Sequence, residues 1–328
     1  MKRYTEAYRI IKDEIQLLQT GTEEINLLNS LNRVIIEDIF SDINLPSFDN
    51  SAMDGIVINF KEGISKWKIK SEISAGNFAQ TYIEADNAAL IMTGAKIPDG
   101  GNTVLPVEDI SIENDTAVLK SGSEYKFGQN IREAGQDLKK NELIAVKFTT
   151  LKPKHISLLA SCGISKVRVL KKYNFGIITT GDELVDIGSN CSGDKIYASN
   201  LYTLIALIEE LNMDHTNFGI CNDNRNNLKE KIYTALQSNI DFLITSGGVS
   251  VGKFDFVMEV LKELGAEIIF WKVNIKPGKP LLFAKINIKE KKKLIFGLPG
   301  NPVSSFVNFH LFIKNILIES YFHSFHRI

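Results

Sequence analysis

The chain has only three cysteines, Cys162, Cys191 and Cys221, about thirty residues apart, with no CxxC spacing and no histidine at ligand spacing. That argues against a disulfide framework or a sulfur-bound zinc site and leaves buried free thiols. The five histidines (His155, His215, His310, His323 and His326) form no HExxH pair, so neither zinc chemistry nor a histidine general base has support. No run of about 18 apolar residues occurs, which excludes a membrane-spanning helix. Charge of one sign is also missing. With 38 basic and 39 acidic side chains the formal charge is −1, so no basic field invites nucleic acid, and any anionic ligand must be held by local groups. The opening MKRYTEAYRIIKDEIQ interleaves charges with apolar residues and lacks the apolar region of a secretory signal; a cytoplasmic location is expected.

What is present is a 328-residue chain, 44% hydrophobic and 23% charged, long enough for two or three folded units with sizeable cores. Ala7, Ile10, Ile11, Ile15 and Leu18 follow helical spacing, and INLLNSL reads as a second short helix leading into the strand-like VIIEDIF. From Leu45 to about Gly128 the helical period disappears. WKIKSEIS, AALIM, TVLPVEDISI and TAVLKS are short β-type runs between Gly, Pro, Asn and Asp. LKPKHISLLASCG returns to helical character, with Pro153 at its start and Gly163 at its end. The expected organisation is a mixed helical domain (1–45 and 138–172), an inserted β domain (46–137) and an α/β domain (173–328). In the last, strands YNFGIITT, IDFLITS, AEIIFWKVNI and LIFGL alternate with helices SNLYTLIALIEELN, RNNLKEKIYTALQ, FDFVMEVLKELG and PVSSFVNFHLFIKNILI, the pattern of a three-layer α/β sandwich.

Ligands of such sheets sit outside the carboxyl ends of the strands, and here those exits carry the unusual residues: GDE after IITT, GGVSVGKFD after FLITS, KPGKP after VNI, PGNP after LIFGL. GGVSVGKF follows the phosphate-loop pattern GxxxxGK, but Phe254 stands where that loop needs a hydroxyl for Mg²⁺. Its glycines still let backbone N–H groups approach an anion; a tight turn with no ligand is the other reading. In KPGKP two prolines stiffen a loop presenting Lys276 and Lys279, with Lys272 four residues back, a set suited to phosphate or another oxyanion. KEKKK (289–293) reads as a solvated basic turn. Asp182, Glu183, Asp223 and Asp255 follow strand exits and suit Mg²⁺ beside phosphate, although Asp255 before an apolar helix reads equally as a cap.

Seven motifs, in order, resemble the molybdopterin molybdenumtransferase family (MoeA and the gephyrin E domain): SAMDG (51–55), MTGA (92–95), NIREAGQD (130–137), TTGDEL (179–184), TSGGVSVG (245–252), IKPGKP (275–280) and GLPGNPVS (297–304). The resemblance implies an enzyme of molybdenum cofactor biosynthesis that converts adenylylated molybdopterin and molybdate to cofactor and AMP, assisted by Mg²⁺. It implies catalytic roles for Asp54, Thr93, Asp137, Glu183, Lys272 and Lys276, and metal binding by Glu183, Asp223 and Asp255. Substrate binding falls to Thr180, Gly181, Asp182, Ser246, Gly247, Gly248, Ser250, Gly252, Pro299, Gly300, Asn301 and Pro302, with Lys279 added on its chemistry. It also implies a homodimer, with the first half of one subunit covering the α/β domain of the other, and a molybdopterin adenylyltransferase and molybdoenzymes as partners.

Family members continue past PGNPVS into a C-terminal β domain, which this sequence is expected to lack. Lys253 stands where the family carries an acid, Ala198 where it has Asp or Asn, Asn102 for Asp and Gln136 for Glu, making the site less acidic. Two readings therefore stay open: an active transferase, and a molybdopterin-binding or scaffolding protein on the same fold. A nucleotide enzyme sharing only the α/β domain is opposed by the motifs of the first half.

Overall fold

A computed structural model describes residues 1–18, 21–76, 81–248 and 256–322. It divides into two units, one of Met1–Ile36, Phe148–Lys152 and Lys166–Ile328, the other of Glu37–Lys147 and Pro153–Ser165.

The first unit opens with helix α1 (Tyr4–Gln16) and strand β1 (Thr22–Asn26); later strands are numbered through both units in chain order. The second unit contains β2 (Ile39–Phe40), β3 (Asn50–Ser51), β4 (Gly55–Ile58), β5 (Lys66–Ile73), β6 (Asn87–Ile91), β7 (Thr103–Pro106), β8 (Ile110–Glu113), β9 (Thr116–Leu119), β10 (Ile131–Arg132), β11 (Leu143–Ala145) and helix α2 (Pro153–Ser161). Its main sheet has the order β7-β4-β6-β5-β9-β8. Alternation along β4 sends Ile56 and Ile58 to one face, with Trp67 and Leu105, and Val57 to the other, with Ile73, Ile91 and Val104. Helix α2 ends as its glycine predicts: Gly163 has φ 76° and donates its N–H to Ala160 O (2.9 Å).

The first unit resumes with β12 (Lys166–Leu170), β13 (Asn174–Thr180), β14 (Leu184–Val185), β15 (Ile196–Tyr197), α3 (Ser199–Glu210), β16 (Asp214–Cys221), α4 (Arg225–Gln237), β17 (Phe242–Ser246), α5 (Phe256–Glu263), β18 (Glu267–Trp271), β19 (Leu282–Ile288), β20 (Lys291–Leu298) and α6 (Pro302–Phe309). Six of these strands form a sheet of order β16-β13-β17-β20-β19-β18, parallel from β16 to β20 and antiparallel across β19. Side chains alternate between two cores. Phe175, Phe242, Phe283 and Phe296 face α1, α3 and α6; Ile178, Leu243, Leu282 and Ile295 face α4 and α5. The sandwich has its three layers. Phe175 and Phe242 stack at 4.6 Å, and each fully buried phenylalanine contributes about 1.5–3 kcal/mol.

Several expectations need correction. INLLNSL is no α-helix: Ile25 pairs with Val167 in the antiparallel β1–β12 ladder, and only Leu27–Asn29 form a 3₁₀ turn. The division of the chain also differs. Ala7, Ile11 and Ile15 of α1 are buried in the same core as Phe309 and Phe312, so α1 belongs with the α/β sheet, whereas α2 packs with β11 in the β unit. KEKKK is not simply a solvated turn. Lys293 is 3% exposed and donates to Ser238 O (2.5 Å), while Lys292 reaches Glu14 (2.7 Å). All three cysteines are free, but Cys191 is only half-buried. No helix among the described residues is long and apolar enough to cross a membrane.

Candidate active site

The segments flagged by sequence leave the sheet at one edge. Strand register sets Thr180 opposite Cys221, Thr179 opposite Ser246, Ser246 opposite Leu298, Gly297 opposite Leu282 and Leu282 opposite Trp271. The turns that follow are therefore neighbours. The chain runs from β13 out to β16 and returns to β17 on the other side of β13, so the topological reversal falls between the Gly181 and Gly247 exits.

Close packing of those exits explains the glycines. Gly247 has φ 94°, and a Cβ there would lie 2.3 Å from Thr180 O and 2.8 Å from Thr180 Oγ1. A Cβ on Gly248 (φ 65°) would lie 3.1 Å from the same hydroxyl and 2.9 Å from Val257 Cγ2. Only a residue without Cβ fits either position. Gly247 N–H donates to Leu298 O and Gly181 N–H to Cys221 O, both at 3.1 Å, joining the exits in pairs. Asn200, at the start of α3, adds a cross-tie that sequence reasoning missed: its Nδ2 donates to Ser246 Oγ and Gly300 O, both at 2.8 Å. Its place in IYASN, a polar residue beginning an otherwise apolar helix, was the available signal. Pro299 is buried and Gly300 exposed, and Asn301 caps α6 by accepting from Ser304 N–H (3.2 Å), with Pro302 in the first turn. The hydroxyls of Thr179, Thr180 and Thr245 are buried without a partner among the described residues, leaving donors at the strand ends.

An acidic rim borders the β16 side. Asp223 N–H donates to Asp182 Oδ1 (3.0 Å), and Lys195, also missed in the sequence, donates to the Asp182 carbonyl (2.6 Å), leaving its carboxylate. Burial first, then the negative charges of Asp182 and Glu183, push the Asp223 carboxyl above its ordinary range, outweighing a backbone hydrogen bond from Asp182. Among the described residues no three acidic, histidine or cysteine side chains form a ready metal cage. Asp255, Lys253, Ser250 and Gly252 lie outside the described residues.

The basic side is the turn between β18 and β19. Lys272 N–H donates to Leu281 O (2.9 Å) and Val273 N–H to Lys279 O (3.0 Å), closing a loop on which Lys276 and Lys279 are exposed. Lys272 has φ 73°, and its Nζ lies 3.7 Å from the centre of the Trp271 ring, a cation–π contact.

The remaining motifs meet in the other unit. Ser51 N–H donates to Ala95 O (3.0 Å), Gly94 N–H to Ser51 O (2.8 Å) and Ala52 N–H to Asn130 O (2.9 Å), uniting SAMDG, MTGA and NIREAGQD. Asp54 Oδ1 accepts Thr93 N–H (2.6 Å) and Thr93 Oγ1–H (2.7 Å), which hold its carboxyl below the ordinary range, the backbone bond most strongly. Asp137 forms an ion pair with Arg132. At the positions where an acid, or for Ala198 Asp or Asn, was expected, Asn102 Oδ1 accepts Phe60 N–H (2.7 Å), Ala198 is buried and gives α3 no side-chain cap, and Gln136 is exposed.

Family models match both halves of the chain: residues 2–163 match the MoeA N-terminal region (domain I and II), and residues 176–319 match a probable molybdopterin binding domain. A molybdopterin molybdenumtransferase of Haemophilus influenzae is 39% identical over 302 residues, covering 92% of this chain and 73% of that protein. The chain belongs to the MoeA family. Another relative of this MoeA-family protein, the molybdopterin molybdenumtransferase of Bacillus subtilis, is 33% identical over 308 residues, 91% of this chain and 70% of its own length. The fold agrees with a molybdopterin biosynthesis MoeA protein of Pyrococcus horikoshii OT3, with a TM-score of 0.74 at 30% identity over 98% of this chain and 79% of that one. MoeA-family membership places the chain in molybdenum cofactor biosynthesis.

Proposed function

We propose that this MoeA-family protein is a molybdopterin molybdenumtransferase that inserts molybdate into adenylylated molybdopterin with release of AMP, assisted by Mg²⁺. The observation that carries the reading is the sheet edge, where the strand ends leading into the glycine exits, the KPGKP turn and the Asp182–Asp223 rim are neighbours in register. A pyrophosphate link needs hydrogen-bond donors and cationic side chains; the N–H groups of Gly181 and Gly247 are engaged by Cys221 O and Leu298 O, so these roles fall to the strand-end threonine hydroxyls and the KPGKP lysines. Lys272, Lys276 and Lys279 bind pyrophosphate or molybdate; Thr180, Ser246 and the PGNP turn line the pterin and nucleotide.

The residues present fit Mg²⁺ in charge. Asp223 carries a carboxyl pushed up by burial and by its acidic neighbours, a cost that a divalent cation relieves. Mg²⁺ needs only one or two carboxylates when phosphates and water complete its shell, so Asp223 and Glu183, with Asp255, would hold it. Bound there, it neutralises charge on the phosphate oxygens. The chain's own residues position the anhydride and stabilise its charge, and no covalent protein nucleophile is required. Asp54, Thr93 and Asp137 complete the pocket of a second copy in a cytoplasmic homodimer, which receives its substrate from a molybdopterin adenylyltransferase and delivers product to molybdoenzymes.

The test is AMP release from adenylylated molybdopterin by the purified protein, with molybdate and Mg²⁺ each omitted in turn. Release that requires both supports the reading. Binding of the substrate with no release above background overturns it in favour of a molybdopterin-binding or scaffolding protein.

A further inference from the structure

Helix α6 has an apolar face. Phe309 and, in the π-helical segment His310–Lys314 that follows, Phe312 are fully buried, and Asn308 beside Phe309 is 0% exposed. A buried side-chain amide in a helix needs a reason, because each unpartnered polar atom costs about 1–3 kcal/mol. Asn308 satisfies only one end: Nδ2 donates to Gly278 O (3.0 Å) and Pro280 O (3.3 Å), and Oδ1 finds no donor among the described residues. Both neighbours are carbonyl oxygens, which fixes the amide orientation with Nδ2 towards them. The contact is tight from the other side as well. Gly278 has φ 96°, and a Cβ there would stand 3.1 Å from Asn308 Nδ2 and 3.2 Å from Asn308 Oδ1.

Those two carbonyls belong to KPGKP. Gly278 lies between Lys276 and Lys279, and Pro280 follows the second lysine. The amide thus clamps the loop backbone on both sides of Lys279 while both lysine side chains remain exposed. The same helix begins at Pro302, directly after the Pro299–Asn301 turn. One rigid element therefore fixes the spacing of two site loops, one through its N-terminus and one through Asn308 two turns on.

We propose that Asn308 is a positioning residue for the oxyanion-binding lysines: it sets the backbone of the KPGKP loop so that Lys276 and Lys279 face a phosphate or molybdate together. The inference rests on the proposed function, because it assigns those lysines to an anion. Asn308 itself touches no substrate. A helix stabilised for its own sake would carry leucine here, which has the same number of side-chain heavy atoms and no orphaned acceptor.

The test compares Asn308→Leu with Phe309→Leu, which perturbs the adjacent core position but leaves the loop hydrogen bonds in place. Two quantities are read on the full chain: hydrogen exchange of the amides from Lys272 to Leu282, and the Kd for inorganic pyrophosphate with Mg²⁺ by calorimetry. Asn308→Leu is expected to accelerate exchange in that segment by about tenfold or more and to raise Kd by about tenfold, equivalent to about 1.4 kcal/mol. Phe309→Leu should change neither selectively, even where its global stability falls further. Unchanged loop exchange in Asn308→Leu overturns the clamp, and faster exchange with unchanged Kd overturns its role in positioning the lysines. A wild-type protein that binds neither pyrophosphate nor molybdate overturns the functional reading instead, and the inference falls with it.

Discussion

Replacing Gly247 with alanine tests whether the β13 and β17 exits are packed as closely as the crevice requires. Two costs add. Alanine at φ 94° is strained by about 1–2 kcal/mol, and its Cβ would stand 2.3 Å from the Thr180 carbonyl oxygen, which cannot rotate away as a side chain does. Relieving that overlap by moving a strand end costs about another 1–3 kcal/mol. Gly265 provides the control: its φ is 86°, yet an added Cβ meets nothing within 4 Å, so Gly265→Ala carries the strain alone. The expected loss is about 2–5 kcal/mol for Gly247→Ala against about 1–2 kcal/mol for Gly265→Ala. The most protected amides of β13 and β17 report this directly by hydrogen exchange, since they open only with the whole α/β unit. Equal losses for the two variants would refute the close approach and the crevice geometry built on it.

Phe242→Ala removes the ring stacked on Phe175 and should cost about 3–5 kcal/mol in the same exchange measurement, with AMP-releasing activity lost only as the unit unfolds. Asp223→Asn replaces a carboxyl already pushed up by burial and by neighbouring charge, so at neutral pH it should leave stability unchanged or slightly raised while abolishing Mg²⁺-dependent turnover; a clear stability loss would contradict the acidic-rim reading. Asp54 behaves oppositely. Its lowered folded value contributes stability that is present above its unfolded value, near pH 4, and is lost as pH falls through the lower folded one. Thr93→Val deletes the side-chain donor but keeps the backbone N–H, so the Asp54 midpoint followed by NMR should rise part of the way towards the ordinary carboxyl range; no movement would deny the hydroxyl a role.

The strand exits were legible because glycine, proline and clustered charge directly after an apolar run mark the place where a strand ends and a turn begins. Two strands of the sheet were not. DHTNFGIC is the edge strand β16, half-buried and polar in its first half, so it lacks the apolar run that marked β13 and β17; LFAKINI merged with the KPGKP turn it follows. The short apolar stretch INLLNSL fits a helix or a strand equally by spacing, and pairing with Val167, distant in sequence, decided it. The grouping of α1 with the α/β sheet likewise depends on Phe309 and Phe312, about 300 residues away. Asn308 left a trace in the sequence too: a lone amide beside Ser305 and Phe309 on the buried stripe of α6. The acidic positions were found, but the pairing of Asp223 with Asp182 required the two strand ends to be placed side by side.

In the proposed function, chemistry occurs at the carboxyl edge of the sheet and depends on the lysines of KPGKP. AMP release from adenylylated molybdopterin, with molybdate and Mg²⁺, should be compared between Lys276→Gln and Lys291→Gln. Both lysines are exposed and both changes remove one positive charge, but Lys291 begins β20, at the opposite end of that strand from the crevice. A fall of about tenfold or more is expected for Lys276→Gln, about 1.4 kcal/mol of transition-state stabilisation, and an unchanged rate for Lys291→Gln. Equal rates in the two variants, or no molybdate-dependent AMP release by the wild-type protein, would contradict the proposed function.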